Sequence, residues 1–160
     1  CAKSRHAQEI QVILAGKGPL EKKYRKLAEK LPNPIVMSFY EPARLLDILH
    51  MADLYVHTSD AEIEAMSCME AFACGLVPVI ADSPRSATPQ FALDERSLFP
   101  AGDTDALAAR IDWWIEHPEE RREMERRYAE HARQYSLEAS IRKTEEMFRQ
   151  AIAEQRGARA

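Results

Sequence analysis

Two glutamates, Glu62 and Glu70, stand eight positions apart, and between them the sequence turns from a polar loop into a helix. With the helix beginning near Ala65, Glu62 lies in the preceding loop and Glu70 projects from the second turn. The first amides of a helix have no partner within it and sit at the positive end of its dipole. Such amides suit a diphosphate. A carboxylate on either side suits vicinal sugar hydroxyls, because each carboxylate oxygen can accept from one hydroxyl. The spacing therefore predicts a turn that holds a phosphate between two sugars. Glu64 shares the loop with Glu62, and spacing leaves open which of the two meets a sugar.

The elements that would carry this turn repeat as strand and helix. Residues 10–16 are a short apolar run ending in Gly16-Lys17-Gly18-Pro19, which reads as a buried strand entering a glycine turn. Leu20, Tyr24, Leu27 and Leu31 follow at helical spacing and predict an amphipathic helix covering a sheet. Residues 35–39 form a second strand, 42–51 a second helix and 54–57 a third strand. After the polar loop, a helix through Met66, Met69 and Phe72 ends at Gly75, a residue suited to a left-handed cap, and residues 77–81 give a fourth strand. The remainder reads as helical, with Leu107, Ile111 and Trp114 on one face, a new helix opening at Pro118, a last stripe of Leu137, Ile141, Phe148 and Ile152, and a frayed end at 156–160. This alternation predicts an α/β fold, a Rossmann-like three-layer α/β/α domain with a parallel sheet. Ligands of such sheets bind beyond the carboxyl ends of the strands, where residues 16–18, 39–42, 58–64 and 82–90 fall.

Composition narrows the function classes. A length of 160 residues suits one domain, and 46% apolar with 30% charged residues is a globular balance rather than a disordered or membrane one. The net charge of -4, with its bases spread along helix-like segments, argues against nucleic acid as the main partner. Cys1, Cys68 and Cys74 have no metal-ligand spacing, and a reducing compartment is expected. No apolar run approaches the roughly 18 to 20 residues of a membrane span, and residues 1–9 lack a signal-peptide core. Because the chain does not begin with Met, an N-terminal part is expected to have been removed.

Other candidates are weaker. Gly16-Lys17-Gly18 is neither a Walker loop nor Gly-x-Gly-x-x-Gly, so a tight turn and a phosphate contact stay equally open. Asp103-Thr104-Asp105 looks like a metal-binding Asp-x-Asp, but it precedes an apolar-periodic helix where Asp serves as an N-cap, and no metal is predicted. The five histidines have no metal spacing and no triad partners; His57, at a strand end, is the one near the site, and a structural role is its simpler reading. Arg85 follows the fourth strand, where a guanidinium could reach a phosphate, though a surface arginine is the simpler reading. Trp113 and Trp114 are adjacent, so one should be core and the other packed on the C-terminal helix or on a missing domain.

The glutamate stretch resembles the Glu-x7-Glu motif of the retaining family 4 glycosyltransferases, usually Glu-x-Phe-Gly-x3-Leu-Glu-Ala-Met-Ala-x-Gly-x-Pro-Val. The resemblance continues in Gly16-Lys-Gly-Pro19, Ala52-Asp53 and Gly102-Asp103-x-Asp-Ala-Leu, and covers nearly the whole chain in order. It implies that residues 1–160 are the donor-binding, C-terminal half of a GT-B fold, lacking its first strand and the N-terminal acceptor domain. By position, Glu62 would contact hydroxyls of the transferred sugar, with Glu64 as the alternative, and Glu70 the ribose. The backbone of Ala65, Met66 and Ser67 would contact phosphate or sugar, Phe39 would lie near the base, and Gly16 would complete the donor-binding set. Glu64-Ala65 replaces the family's Phe-Gly, placing a Cβ where the backbone passes close to the donor. The family's diphosphate-neutralising Arg and Lys lie upstream, and neither Lys3 nor Arg5 has the context to replace them.

The function so implied is retaining transfer of a hexose-type sugar from a UDP- or GDP-linked donor to a saccharide or lipid-linked acceptor. No cofactor and no metal are implied; the nucleotide sugar is the substrate. The variant Glu-Ile-Glu-x-Met-Ser-Cys further resembles enzymes of bacterial capsular or surface polysaccharide synthesis, which places the protein in the cytoplasm at the inner face of the membrane, peripherally associated in its full-length form. Alone, the chain is expected to be inactive. Two rival readings are a sugar-nucleotide epimerase, whose acid and base residues are not identifiable here, and a non-enzymatic nucleotide-binding or regulatory α/β module. A regulatory module of the receiver type would show clustered acids after its first strand, and Gly16-Lys-Gly-Pro19 offers none.

Overall fold

The computed structural model describes residues 1–157. Its elements run β1 (Ile13–Ala15), α1 (Glu21–Ala28), β2 (Val36–Ser38), α2 (Pro42–Met51), β3 (Leu54–His57), α3 (Met66–Ala73), β4 (Val77–Asp82), β5 (Leu98–Pro100), α4 (Thr104–Glu116), α5 (Pro118–Ala132) and α6 (Leu137–Gly157). The strand-helix alternation expected from the sequence is present, and every strand pairing is parallel. Helix α6 continues through Gly157, and the rest of the stretch expected to fray, 158–160, lies outside the described residues.

Three expectations are corrected. The parallel sheet is two sheets, β1-β2 and β3-β4-β5. No strand among the described residues bridges β1 and β3, so the ladder stops there and each strand keeps one unpaired edge. Helix α1 does not bury its apolar face: Leu20, Tyr24 and Leu27 remain about half exposed, because a two-stranded sheet is too narrow a floor for it. The region after residue 90 is not all helical, since β5 adds to β4 from Ile80 onward. Three residues ending in proline carry no periodic signal.

The core lies between the three-stranded sheet and helices α3, α4 and α5. Phe72, Val79, Ile80, Trp114, Met124 and Tyr128 are its centre. The ring of Phe72 packs against Phe91 and Tyr128 with centroids 5.7 and 5.1 Å apart. Strand β4 is buried from Val77 to Ala81, as a strand covered on both faces should be. Pro78 is tolerated within it because β5 joins only from Ile80, so Pro78 lies where β4 has a ladder on one side alone. Trp114 is the core member of its pair. Trp113 stacks on His117 with centroids 4.1 Å apart and carries the Arg96 guanidinium carbon 4.5 Å from its ring centroid. The stripe on α6 stays exposed.

The first ten residues are latched to α4. Ser4 is buried and its hydroxyl donates to the buried carboxylate of Asp112, while the Arg5 amide donates to the same carboxylate at 3.1 Å. Lys3 pairs with Asp105 at 2.7 Å, and Arg5 with Glu116 at 2.9 Å. Burial alone would raise the Asp112 carboxyl, yet Ser4 and Arg5 together hold it below its ordinary value. His6 is raised by hydrogen bonds to Glu116 and Glu9. The two shifts act in opposite pH directions. Asp112 stabilises the fold above its unfolded pKa of about 3.9 and ceases to as pH falls through its lower folded value. His6 stabilises below about 6.5 and ceases to as pH rises through its higher folded value. The melting-temperature gap between the wild-type chain and an Asp112→Asn, His6→Gln double variant should therefore be largest between roughly pH 4 and 6.5. It should shrink in part on either side of that window, as His6 loses its contribution above it and Asp112 loses its own below it.

Candidate functional site

The site is built at the carboxyl ends of β3 and β4. Strand β3 ends in His57, and the loop after it runs past Glu62 into α3. The loop after β4 is stapled to it in a single parallel bridge, Glu62 opposite Ser86. The Glu62 amide donates to the Arg85 carbonyl at 3.3 Å and the Ala87 amide donates to the Glu62 carbonyl at 2.9 Å. The Ser83 hydroxyl donates to Asp60, with the backbone carbonyl at 2.7 Å and the carboxylate at 2.8 Å. Arg85 pairs with the Asp60 carboxylate. The surface reading of Arg85 is thus refined: it is exposed, but its charge braces the loop.

Helix α3 begins at Met66, one residue after the position anticipated, and Ala65 before it has φ 46° and ψ 53°. This is the left-handed region, costly to a residue with a Cβ. The position that the related motif fills with glycine is therefore one where the backbone turns sharply into the helix. Ala65 keeps that turn, with its methyl buried against the core. The helix closes at Gly75, whose φ of 81° lets the Leu76 amide donate back to the Ala71 carbonyl at 3.0 Å. No hydrogen-bond partner among the described residues meets the amides of Met66 and Ser67, the first two of the helix.

Glu62 turns back into its own loop. Its carboxylate accepts from the Ile63 amide at 2.9 Å and the Glu64 amide at 3.4 Å. Those amides, Glu64 first, hold it below the usual carboxylate range. The same carboxylate lies 3.9 Å from His57 Nε2. Glu64 is exposed, and Glu70 projects from α3 exposed, with no hydrogen bond or ion pair from its carboxylate among the described residues. Beneath the loop, the Tyr55 hydroxyl is hydrogen bonded to Ser67 Oγ at 2.8 Å and lies 3.1 Å from His57 Nδ1. Burial raises Tyr55 and lowers His57, the latter opposed by the Glu62 charge. Burial also pushes the Cys68 thiol up to about 12, so it is an inert core residue.

Gly16 and Phe39 form a second group, at the carboxyl ends of β1 and β2. The Gly16 amide donates to the Ser38 carbonyl at 2.8 Å, and a φ of 150° is open to glycine alone. Lys17 Nζ lies 5.0 Å above the exposed Phe39 ring. No hydrogen bond or ion pair among the described residues joins this group to the Glu62–Glu70 group. Asp103 accepts from the amides of Asp105 and Ala106 at 3.0 and 2.9 Å, the capping role expected of it. Tyr55 was not singled out by sequence reasoning. Its signal was present: two residues before His57 on a strand, it shares that residue's face.

A turn of free amides between two carboxylates, at the carboxyl ends of parallel strands, has the donors and acceptors that an anion and a polyol call for. The fold around it, parallel sheets flanked by helices, is that of a GT-B glycosyltransferase domain. The chain matches the crystal structure of the catalytic domain of cholesterol-alpha-glucosyltransferase from Helicobacter pylori with a TM-score of 0.81 and 49% identity, over 84% of this chain and 85% of that one. No curated protein sequence matches it. Residues 1–134 match the family described as Glycosyl transferases group 1, and the chain belongs to that family. It is a glycosyltransferase, which takes a sugar donor and an acceptor; the epimerase and regulatory-module readings are set aside.

Proposed function

We propose that this domain binds a nucleotide-diphosphate sugar, UDP- or GDP-linked, for retaining transfer of a hexose-type sugar to a saccharide or lipid-linked acceptor. The observation that carries the reading is the start of α3, where the unpartnered Met66 and Ser67 amides stand between Glu62 in the loop and Glu70 on the second turn. The diphosphate meets the amides, Glu70 the ribose hydroxyls and Glu62 the transferred sugar. Glu62 is preferred to Glu64 because its carboxylate is already held by the loop amides and faces His57. Gly16 and Phe39 flank the base. The related enzyme's name specifies glucose and cholesterol, which supports a hexose and an acceptor with lipid character.

The same reading places the protein in the cytoplasm at the inner membrane face, in synthesis of bacterial surface polysaccharide or glycolipid. The acceptor and the diphosphate-neutralising bases come from elsewhere in the protein. Two features support that part: the unpaired edges of β1 and β3, which suit one more parallel strand, and the commitment of Lys3 and Arg5 to α4. During transfer, the helix amides stabilise the departing diphosphate while the sugar gains oxocarbenium character.

Calorimetric titration with UDP, GDP and their glucose conjugates tests the reading. Saturable binding of one nucleotide, with the sugar conjugate distinguished from it, is the expected result. Absence of binding at millimolar concentration in both this chain and the full-length protein would overturn it.

A further inference from the structure

One buried polar atom near the site has no partner. His57 Nε2 is shielded from solvent and makes no hydrogen bond within the usual distance among the described residues, in a side chain only 8% exposed. An orphaned ring nitrogen in a dry place is costly, and its neighbours decide what it needs. The group facing it is the Glu62 carboxylate at 3.9 Å, which can only accept. A lone pair on Nε2 would set two acceptors against each other. A proton on Nε2 instead gives a donor aimed at Glu62, one small side-chain adjustment short of a hydrogen bond.

The other side of the ring fits that assignment. With the proton on Nε2, Nδ1 becomes an acceptor for the Tyr55 hydroxyl at 3.1 Å. Tyr55 Oη in turn lies 2.8 Å from Ser67 Oγ, in the first turn of α3; with its single proton given to Nδ1, Tyr55 accepts from the Ser67 hydroxyl, which is free to rotate. Ser67 is exposed at the helix start, where its amide is unpartnered. The side chains thus run Ser67, Tyr55, His57, Glu62, from the amide turn around to the loop carboxylate.

We propose that His57 is a positioning residue: its Nε2–H orients the Glu62 carboxylate toward the transferred sugar, and Tyr55 fixes the tautomer that allows it. The proposal rests on the reading of Glu62 as a sugar ligand. Outer partners of this kind orient the groups that touch a ligand without touching it themselves. His57 cannot be a ligand contact, since its free nitrogen is out of reach of solvent. It therefore tunes recognition of the sugar and leaves the nucleotide alone.

Two measurements separate this proposal from the reading beneath it. Nitrogen-15 NMR of the wild-type chain should show His57 neutral near pH 7.5 with the proton on Nε2; a proton on Nδ1 alone overturns the proposal whatever the chain binds. Calorimetry should then show His57→Leu losing roughly 10-fold in affinity for the glucose conjugate while its affinity for the free nucleoside diphosphate holds. His57→Gln, which can offer an N–H near the same place, should recover most of that loss, and Tyr55→Phe should show a smaller one. Equal loss for nucleotide and conjugate, or no change for either, would mean that His57 is merely structural. A wild-type chain with the expected tautomer that binds neither ligand sinks the donor-site reading, and this role with it.

Discussion

Glu70→Ala is expected to weaken nucleoside diphosphate binding by roughly 10- to 100-fold, the range set by losing one or two hydrogen bonds to a charged group. Its carboxylate is exposed and unpaired among the described residues, so its removal should leave stability within about 0.5 kcal/mol. Lost affinity therefore reports the contact and not the fold. Glu62→Ala should behave differently. The free nucleotide should bind nearly as before, while preference for the sugar conjugate disappears and turnover of the full-length enzyme falls roughly 100-fold, the scale of removing one group that acts on developing charge. Calorimetry on both variants, with nucleotide and conjugate compared, gives a cross-pattern. Loss of nucleotide binding in the Glu62 variant alone would reverse the assignment of the two carboxylates.

Trp114→Ala is expected to cost about 3 to 5 kcal/mol. The side chain is fully buried, in the cluster where α4 meets the three-stranded sheet. A domain of this size holds roughly 5 to 15 kcal/mol in all, so the variant should lose much of its stability. With a urea dependence of roughly 1 to 3 kcal/mol per molar, its unfolding midpoint should fall by about 2 M. Trp114→Phe should cost clearly less, because it also removes the indole N–H, a buried donor without a partner among the described residues. Leu27→Ala, by contrast, should stay within about 0.5 kcal/mol, since Leu27 is half exposed on α1. A loss at Leu27 as large as that at Trp114 would contradict the packing described above.

That contrast shows where the sequence was legible. Leu27 and Trp114 both sit on well-formed apolar stripes, and periodicity treats them alike. A stripe states which face of a helix is apolar, not whether anything lies against it. The positions of β1 to β4 read correctly because β-branched runs ending in glycine or polar loops have few other uses, although β1, expected to be buried, is exposed at Leu14; Pro42–Met51 was legible to the residue because Pro42 at its start fixes the helical φ. Strand β5 was not legible: three residues, one of them proline, become a strand only because β4 offers an edge.

The candidate site divides the same way. Glu62, Glu70 and the helix start between them follow from local spacing, since neighbours along the chain determine a turn and a helix N-terminus. The capping of Asp103 and the left-handed close at Gly75 are equally local. What joins distant residues had no such signal. The staple between Glu62 and Ser86 spans two loops, the latch of Ser4 on Asp112 spans most of the chain, and the facing of His57 on Glu62 depends on how the loop folds back over β3. Residue types supply the chemistry and local spacing supplies the elements; pairing across the sheet and burial of particular polar atoms arise from long-range packing, which no local pattern encodes.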